Sequence, residues 1–246
     1  MKTGQKTIID AYSTITSDYQ SGERQDYRDE WRYMTMSKFK TDYSLIYKIP
    51  NHLKNKRVLN IGTSFPIDEI FFARTVQKLY TVDITKDVIR FAKSILNREL
   101  SENLRKKVIF QIVNAIALPF KNNSFDVSMS FSTLEHIPDE EHRLKAFSEI
   151  ARVTKINGYV IVTAPNKLSY WKMKRSVKLQ KQNNLPIGYE YWYCPKQLKK
   201  ILISNKLKPI LFRSSASGYT GRLSSALHFP FERFGTRMGY LCLKTS

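Results

Sequence analysis

The middle of the chain alternates short, continuous apolar runs with stretches whose apolar residues recur every three or four positions. Arg57-Val-Leu-Asn-Ile-Gly62 is an apolar run closed by glycine, which predicts a buried strand entering a tight turn. Pro66 to Val76 follows with Ile67, Ile70, Phe71 and Val76 at helical spacing, and Pro66 suits a first helical turn. Leu79–Asp83 predicts a second strand. Asp87–Leu96 predicts a helix with Val88, Ile89, Ala92, Ile95 and Leu96 apolar. Val108–Val113 and Phe125–Phe131 predict a third and a fourth strand, the latter introduced by the turn Lys121-Asn-Asn-Ser124. Glu140–Val153 reads as an amphipathic helix, and Asn157-Gly158 as a turn before a fifth strand, Tyr159–Thr163. Strand–helix repeats with apolar strands predict a parallel sheet covered on both faces, a doubly wound α/β fold. The first part of the chain is polar with interspersed aromatics (Tyr12, Tyr19, Tyr27, Trp31, Tyr33, Phe39, Tyr43, Tyr47) and ends in a helix-like stretch before Pro50.

Composition narrows the class. A chain of 246 residues suits one large domain, or one domain with an insert. With 42% hydrophobic residues it is not a disordered chain, and 9 Gly and 9 Pro exclude a collagen-like one. No apolar run approaches the ~18 residues of a membrane-spanning helix. The opening MKTGQKTIIDAYST lacks the apolar stretch of a secretory signal. Cys194 and Cys242 alone make neither a disulfide framework nor a thiolate zinc site. A cytoplasmic globular protein is expected.

Charge adds a second theme. The chain has 41 Lys+Arg against 21 Asp+Glu, a formal charge of +20. Residues 1–166 are near balance, with 25 basic and 19 acidic side chains; residues 167–213 carry 12 basic and one acidic, Glu190. That segment is either a solvated lysine-rich face or a surface that meets an anion.

A doubly wound sheet binds its ligand at the carboxyl ends of the strands, where the strand order reverses. Gly62 and Asp83 lie close to the spacing by which an acid ending the second strand reaches a ribose. Asp83 could instead cap the helix that starts near Thr85. The turn Gly62-Thr-Ser-Phe-Pro-Ile has one glycine where a dinucleotide reader has three, and Phe65 and Pro66 fill the space of a diphosphate. This argues against NAD or FAD and for a ligand with ribose and adenine but no phosphate.

The segments Val58–Gly62, Val82-Asp83, Asn114–Phe120, Ser124–Pro138 and Lys155–Gly158, in that order, resemble class I S-adenosylmethionine-dependent methyltransferases. They look most like the small-molecule branch typified by ubiquinone/menaquinone methylases, methyltransferase type 11. The resemblance covers about residues 55–166. It implies a Rossmann-like, seven-stranded sheet, mostly parallel, with an antiparallel last strand at Met238–Leu243 and a helix at Tyr193–Leu202 before the sixth strand. It implies S-adenosyl-L-methionine as cofactor, with the Asn60–Ser64 turn (Asn60, Gly62, Thr63, Ser64) around its methionine part. Asp83 would hold the ribose hydroxyls, Ile84 would lie against the adenine, and Asn114 and Ala115 would border it. Ser130, Ser132 and Thr133 would line the methyl-donor end, with Leu134 and His136 behind. Departures stand out: the family usually has an acid at Asn60, glycines at Ser64 and Pro66, and often Asp at Asn114.

The same resemblance divides the chain into a helical lid, 1–54, and a methyltransferase domain, 55–246, with a basic, aromatic substrate-covering insert at about 167–195 and a second insert at about 214–236. Tyr19, Trp31, Tyr170, Tyr191, Trp192 and Arg222 are the candidate substrate contacts. His136 is the candidate base, or else a fixed pocket residue. Glu135, Asp139, Glu140 and Glu141 form no metal-ligand pattern and suit a helix start, so no metal is expected. Methyl transfer from a sulfonium asks mainly for proximity and orientation. The expected acceptor is a small or lipid-linked molecule, anionic or aromatic, with peripheral contact at an anionic membrane surface. Two alternatives remain: an RNA methyltransferase using the basic 167–213 segment, its binding falling steeply with salt, and a binding protein that keeps the fold without catalysis.

Overall fold

The structure, a computed structural model, describes residues 9–14, 16–17, 39–63, 65–182, 188–215 and 235–246, side chains at 39, 40 and 170–172 excepted. Of the candidate site residues, Tyr19, Trp31, Ser64 and Arg222 lie outside the described residues, as does the side chain of Tyr170.

Seven strands form one sheet in the order β3-β2-β1-β4-β5-β7-β6. They are β1 (Arg57–Ile61), β2 (Lys78–Asp83), β3 (Val108–Ile112), β4 (Phe125–Phe131), β5 (Thr154–Pro165), β6 (Leu207–Ser215) and β7 (Arg237–Lys244). The first five are parallel; β7 enters between β5 and β6, antiparallel to both. The expected seven-stranded Rossmann-like sheet is thus present. Its strand order reverses at β1, which has β2 on one side and β4 on the other. The registers Ile61↔Val82 and Ile61↔Ser130 bring the carboxyl ends of these three strands together.

Boundaries differ from expectation where tertiary packing decides. The helix after β1 covers Ile67–Phe72 and not Pro66–Val76, because the chain turns at Thr75 to enter β2. The Asn157-Gly158 turn lies inside a longer β5, with Asn157 at φ 61 beside a register shift against β4. Helices Lys86–Glu99 and Glu140–Val153 cover the strands as predicted. Asp139 caps the latter through the His142 amide, with Glu140 and Glu141 in its first turn, so these acids serve the helix start.

Two apolar layers flank the sheet. On one, Leu59, Phe125 and Val160 pack with Phe147 and Ile150 and with Leu198 and Leu202 of helix Pro195–Ser204. On the other, Val58, Met129 and Ile161 pack with Tyr43, Leu45, Ile46, Ile49 and Leu53. Each such side chain, fully buried, contributes about 1.5–3 kcal/mol. Residues 43–53 are therefore part of the core, which shortens the expected lid of residues 1–54.

After β5 the chain forms helix Tyr170–Lys181 and returns through Tyr193, which bridges Asn166. Lys174, Arg175, Lys178 and Lys181 are exposed on that helix. At the carboxyl end of β5, Arg237 donates to Asp42 Oδ2 at 2.8 Å and to Thr163 Oγ1 at 3.1 Å. Beside it, Asn166 Nδ2 donates to the Gly235 carbonyl at 2.8 Å, and the hydroxyls of Thr41 and Ser215 are bonded.

Candidate functional site

The site grows from the turn after β1. Gly62 has φ +85, and a Cβ there would lie 2.1 Å from Thr133 Oγ1, so both backbone and space demand glycine. Its amide donates to the Val82 carbonyl at 2.8 Å, holding the turn against the end of β2. There the Thr63 amide donates to Asp83 Oδ2 at 2.9 Å and the Thr85 amide to Asp83 Oδ1 at 2.8 Å. Burial raises the Asp83 carboxyl to about 6, against the pull of those amides. Asp83 thus holds the amide of Thr85, the residue that caps helix Lys86–Glu99, without being the cap itself, and it faces a cleft.

The cleft opens where the carboxyl ends of β1, β2 and β4 come together. Gly62, Thr63, Asp83, Ile84, Asn114, Ala115, Ser132, Thr133 and His136 line it. Of the other expected cofactor residues, Asn60 and Ser130 are not among its walls. Both are fully buried in the sheet: Asn60 Nδ2 donates to Glu69 Oε1 at 2.9 Å, and Ser130 Oγ has no partner among the described residues. Each lies one residue inside the end of its strand, within the packed layers.

The second wall is the segment after β4. Ser132, at φ 51, bends the chain into the short turn Leu134–His136. His136 Nδ1 is 2.8 Å from the Tyr189 carbonyl. A carbonyl only accepts, so this contact places the proton on Nδ1 and leaves Nε2 of the neutral ring as an acceptor. Burial lowers the affinity of His136 for a second proton. The ring of Tyr12 meets it edge-on, centroids 6.2 Å apart.

Residues 189–193 are fastened to this wall by Arg143. Its guanidinium lies 4.2 Å over the Tyr191 ring and donates to the carbonyls of Ile137 and Pro138 at 2.7 and 2.8 Å. The Tyr191 amide donates to the Glu135 carbonyl at 3.0 Å. Tyr191 and Trp192, expected at the substrate, pack here and do not line the cleft: Tyr191 meets Tyr193 and Gln197, and Trp192 is buried. Glu135, read from sequence as helix-start material, is instead 1% exposed behind the wall, where burial raises it to about 8.

Sequence reasoning also missed Asp68 as a wall residue. Its only signal was two consecutive acids in the otherwise apolar run Ile67-Asp-Glu-Ile-Phe-Phe72. No metal-binding group of His, Cys, Asp or Glu occurs among the described residues.

The walls fit a phosphate-free nucleoside. Asp83 offers carboxylate oxygens for ribose hydroxyls, and Ile84, Val113, Ala115 and Phe131 supply apolar surface for a flat base. Thr63 Oγ1 is buried without a partner among the described residues, on the cleft wall. No Lys or Arg is among the described lining residues, so nothing there would neutralise a diphosphate.

The strand order and the cleft at the switch point are those of the class I S-adenosylmethionine-dependent methyltransferase fold. Residues 59–162 match the Methyltransferase domain family, and this segment is such a domain. The chain is 33% identical over 117 residues to the uncharacterized methyltransferase YcgJ of Bacillus subtilis, covering 48% of this chain and 44% of that protein. It is 30% identical over 109 residues to demethylmenaquinone methyltransferase of Lactococcus lactis, covering 44% and 40%. The matched segment spans less than half the length of either relative. Magnesium protoporphyrin IX methyltransferase from Synechocystis, solved with bound S-adenosylhomocysteine, superposes with a TM-score of 0.69 at 15% identity, covering 98% of this chain and all of that one.

Proposed function

We propose that the protein transfers a methyl group from S-adenosyl-L-methionine to a small or lipid-linked acceptor. The observation that carries this reading is the Asp83 carboxylate, fixed by the Thr63 and Thr85 amides in a cleft lacking cations among its described walls. The cofactor supplies an activated methyl on a sulfonium. Asp83 accepts the ribose hydroxyls, while Ile84, Asn114 and Ala115 hold the adenine. Ser132, Thr133 and Tyr12 enclose the donor end, and Tyr12 gives the sulfonium an aromatic face, worth about 0.5–2 kcal/mol. His136 Nε2 takes the acceptor's proton, its ring oriented by the Tyr189 carbonyl.

Residues 1–38, with Tyr19 and Trp31, and the insert at about 214–236, with Arg222, cover the acceptor in this reading. The demethylmenaquinone relative supports an acceptor from the quinone-like, lipid-linked class, and hence the ubiquinone/menaquinone branch. The exposed lysines of helix Tyr170–Lys181 support contact with an anionic acceptor or lipid surface. No helix among the described residues is long and apolar enough to cross a membrane.

Isothermal titration with S-adenosyl-L-methionine tests the reading. Micromolar binding that Asp83→Ala abolishes is expected; no binding at millimolar cofactor overturns it. Methyl transfer from labelled cofactor to a quinone-precursor panel then tests the acceptor class.

A further inference from the structure

Position 60, where the resemblance leads one to expect an acid, holds Asn60, and the structure shows where its amide is spent. Asn60 Nδ2 donates to Glu69 Oε1 at 2.9 Å, and the Thr81 hydroxyl donates to the same oxygen at 2.7 Å. All three residues are fully buried, and none lines the cleft. Asp68, the neighbour of Glu69, does line it. Its side chain is 4% exposed and its Oδ1 accepts the Tyr43 hydroxyl at 2.9 Å. Thr63, on the same wall, keeps a buried Oγ1 with no partner among the described residues. A carboxylate, Asp68, and a hydroxyl oxygen without a partner among the described residues, Thr63 Oγ1, thus both line the cleft after β1, which has no Lys or Arg among its described walls. Such a pair of acceptors suits an ammonium group, whose N–H donors form their strongest bonds with carboxylates.

We propose that Asp68 is the anionic partner of the α-ammonium group in the cofactor's amino-acid tail, with Thr63 Oγ1 accepting a second of its N–H bonds. This rests on the cofactor reading above and assigns to the helix after β1 the carboxylate that position 60 has lost. Glu69 is unsuited to the role: burial and the charge of Asp68 raise it to about 7, and its Oε1 is occupied by Asn60 and Thr81.

The test is titration of two ligands that share the nucleoside and differ in the tail. S-adenosylhomocysteine carries the ammonium; 5′-methylthioadenosine lacks the amino-acid part. Asp68→Asn keeps an acceptor for the Tyr43 hydroxyl while removing the charge. It is expected to weaken S-adenosylhomocysteine binding by about 10- to 100-fold, the range for a hydrogen bond to a charged group. Methylthioadenosine binding should stay within about twofold. Tyr43→Phe, which removes the bond to Asp68 and not its charge, should leave the ratio of the two affinities unchanged. Equal losses for both ligands in Asp68→Asn, or no loss for either, overturn the proposal, as does a selective loss in Glu69→Gln instead. If the unmodified protein binds neither ligand, the cofactor reading itself fails, a result distinct from those.

Discussion

The two walls of the cleft are built by different means. The β1–β2 wall is held by backbone amides over short sequence distances: Gly62 to Val82, and Thr63 and Thr85 to Asp83. The β4 wall depends on side chains reaching across the chain: His136 to Tyr189, and Arg143 to Tyr191. The first arrangement leaves little adjustable material. The second can change with the segment that packs on it. If the first wall serves the cofactor and the second the acceptor, as proposed above, the two functions should respond separately to mutation.

The largest effect is expected from Asp83→Ala. If Asp83 accepts two ribose hydroxyls, as proposed above, removing the carboxylate should cost cofactor affinity at least about 100-fold, at ~1.5–3 kcal/mol per charged hydrogen bond. Titration calorimetry reads this directly, and a loss under tenfold would break the assignment of that wall. Gly62→Ala comes next. A φ of +85 costs a non-glycine residue about 1–3 kcal/mol, and the Cβ would collide with Thr133. A lowered melting temperature together with weakened cofactor binding is expected.

A smaller effect, with opposite signs in two measurements, comes from pH. Asp83 is raised to about 6, and only its ionised form accepts both hydroxyls, so cofactor affinity should rise severalfold between pH 5 and 7. Stability without ligand runs the other way. Asp83, Glu69 and Glu135, raised by burial to about 6, 7 and 8, keep protons in the folded chain that the unfolded chain has lost. Their stabilising contribution is full below the unfolded values near pH 4 and is lost as pH rises through 6 to 8. The melting temperature should fall between pH 6 and 8, and Glu135→Gln should flatten that fall.

Arg143→Met should lower methyl transfer by roughly tenfold through a misplaced His136, moving the pH profile of turnover, while cofactor affinity stays within about threefold. A large affinity loss would show that the walls are not separable. The smallest change is expected from Lys174→Glu with Lys178→Glu. Cofactor binding should be unaltered, with any loss confined to anionic acceptors or vesicles of anionic lipid.

The same division explains what the sequence reveals. β1, Gly62, β2 and Asp83 are recognisable because their signals are local: an apolar run, one glycine, an acid at a set spacing. Asn114 and Ala115 follow in order for the same reason. Asn60 and Ser130 belong to the same motifs, yet they sit one residue inside the strand ends, fully buried and off the cleft wall. Asp68 and Glu135 are hidden for another reason. An acid beside a helix start reads as a solvated helix terminus, and only the tertiary fold shows one lining the cleft and the other sealed behind it. Tyr191 and Trp192 illustrate the converse: an aromatic cluster near a basic segment suggests a substrate pocket, but Arg143 and the core absorb it.

The fastening at the end of β5 has a consequence for how such a protein can change over time. Ser215 and Gly235 bracket residues 216–234, and Thr41 and Asp42 lie just beyond residues 18–38; all four belong to the patch gathered by Arg237 and Asn166. These contacts join the described residues on either side of the two stretches. Closing a flexible segment between fixed ends costs only about 0.6 kcal/mol more for each doubling of its length. Sequence and length can therefore change between these ends without altering the pairing of β5, β7 and β6.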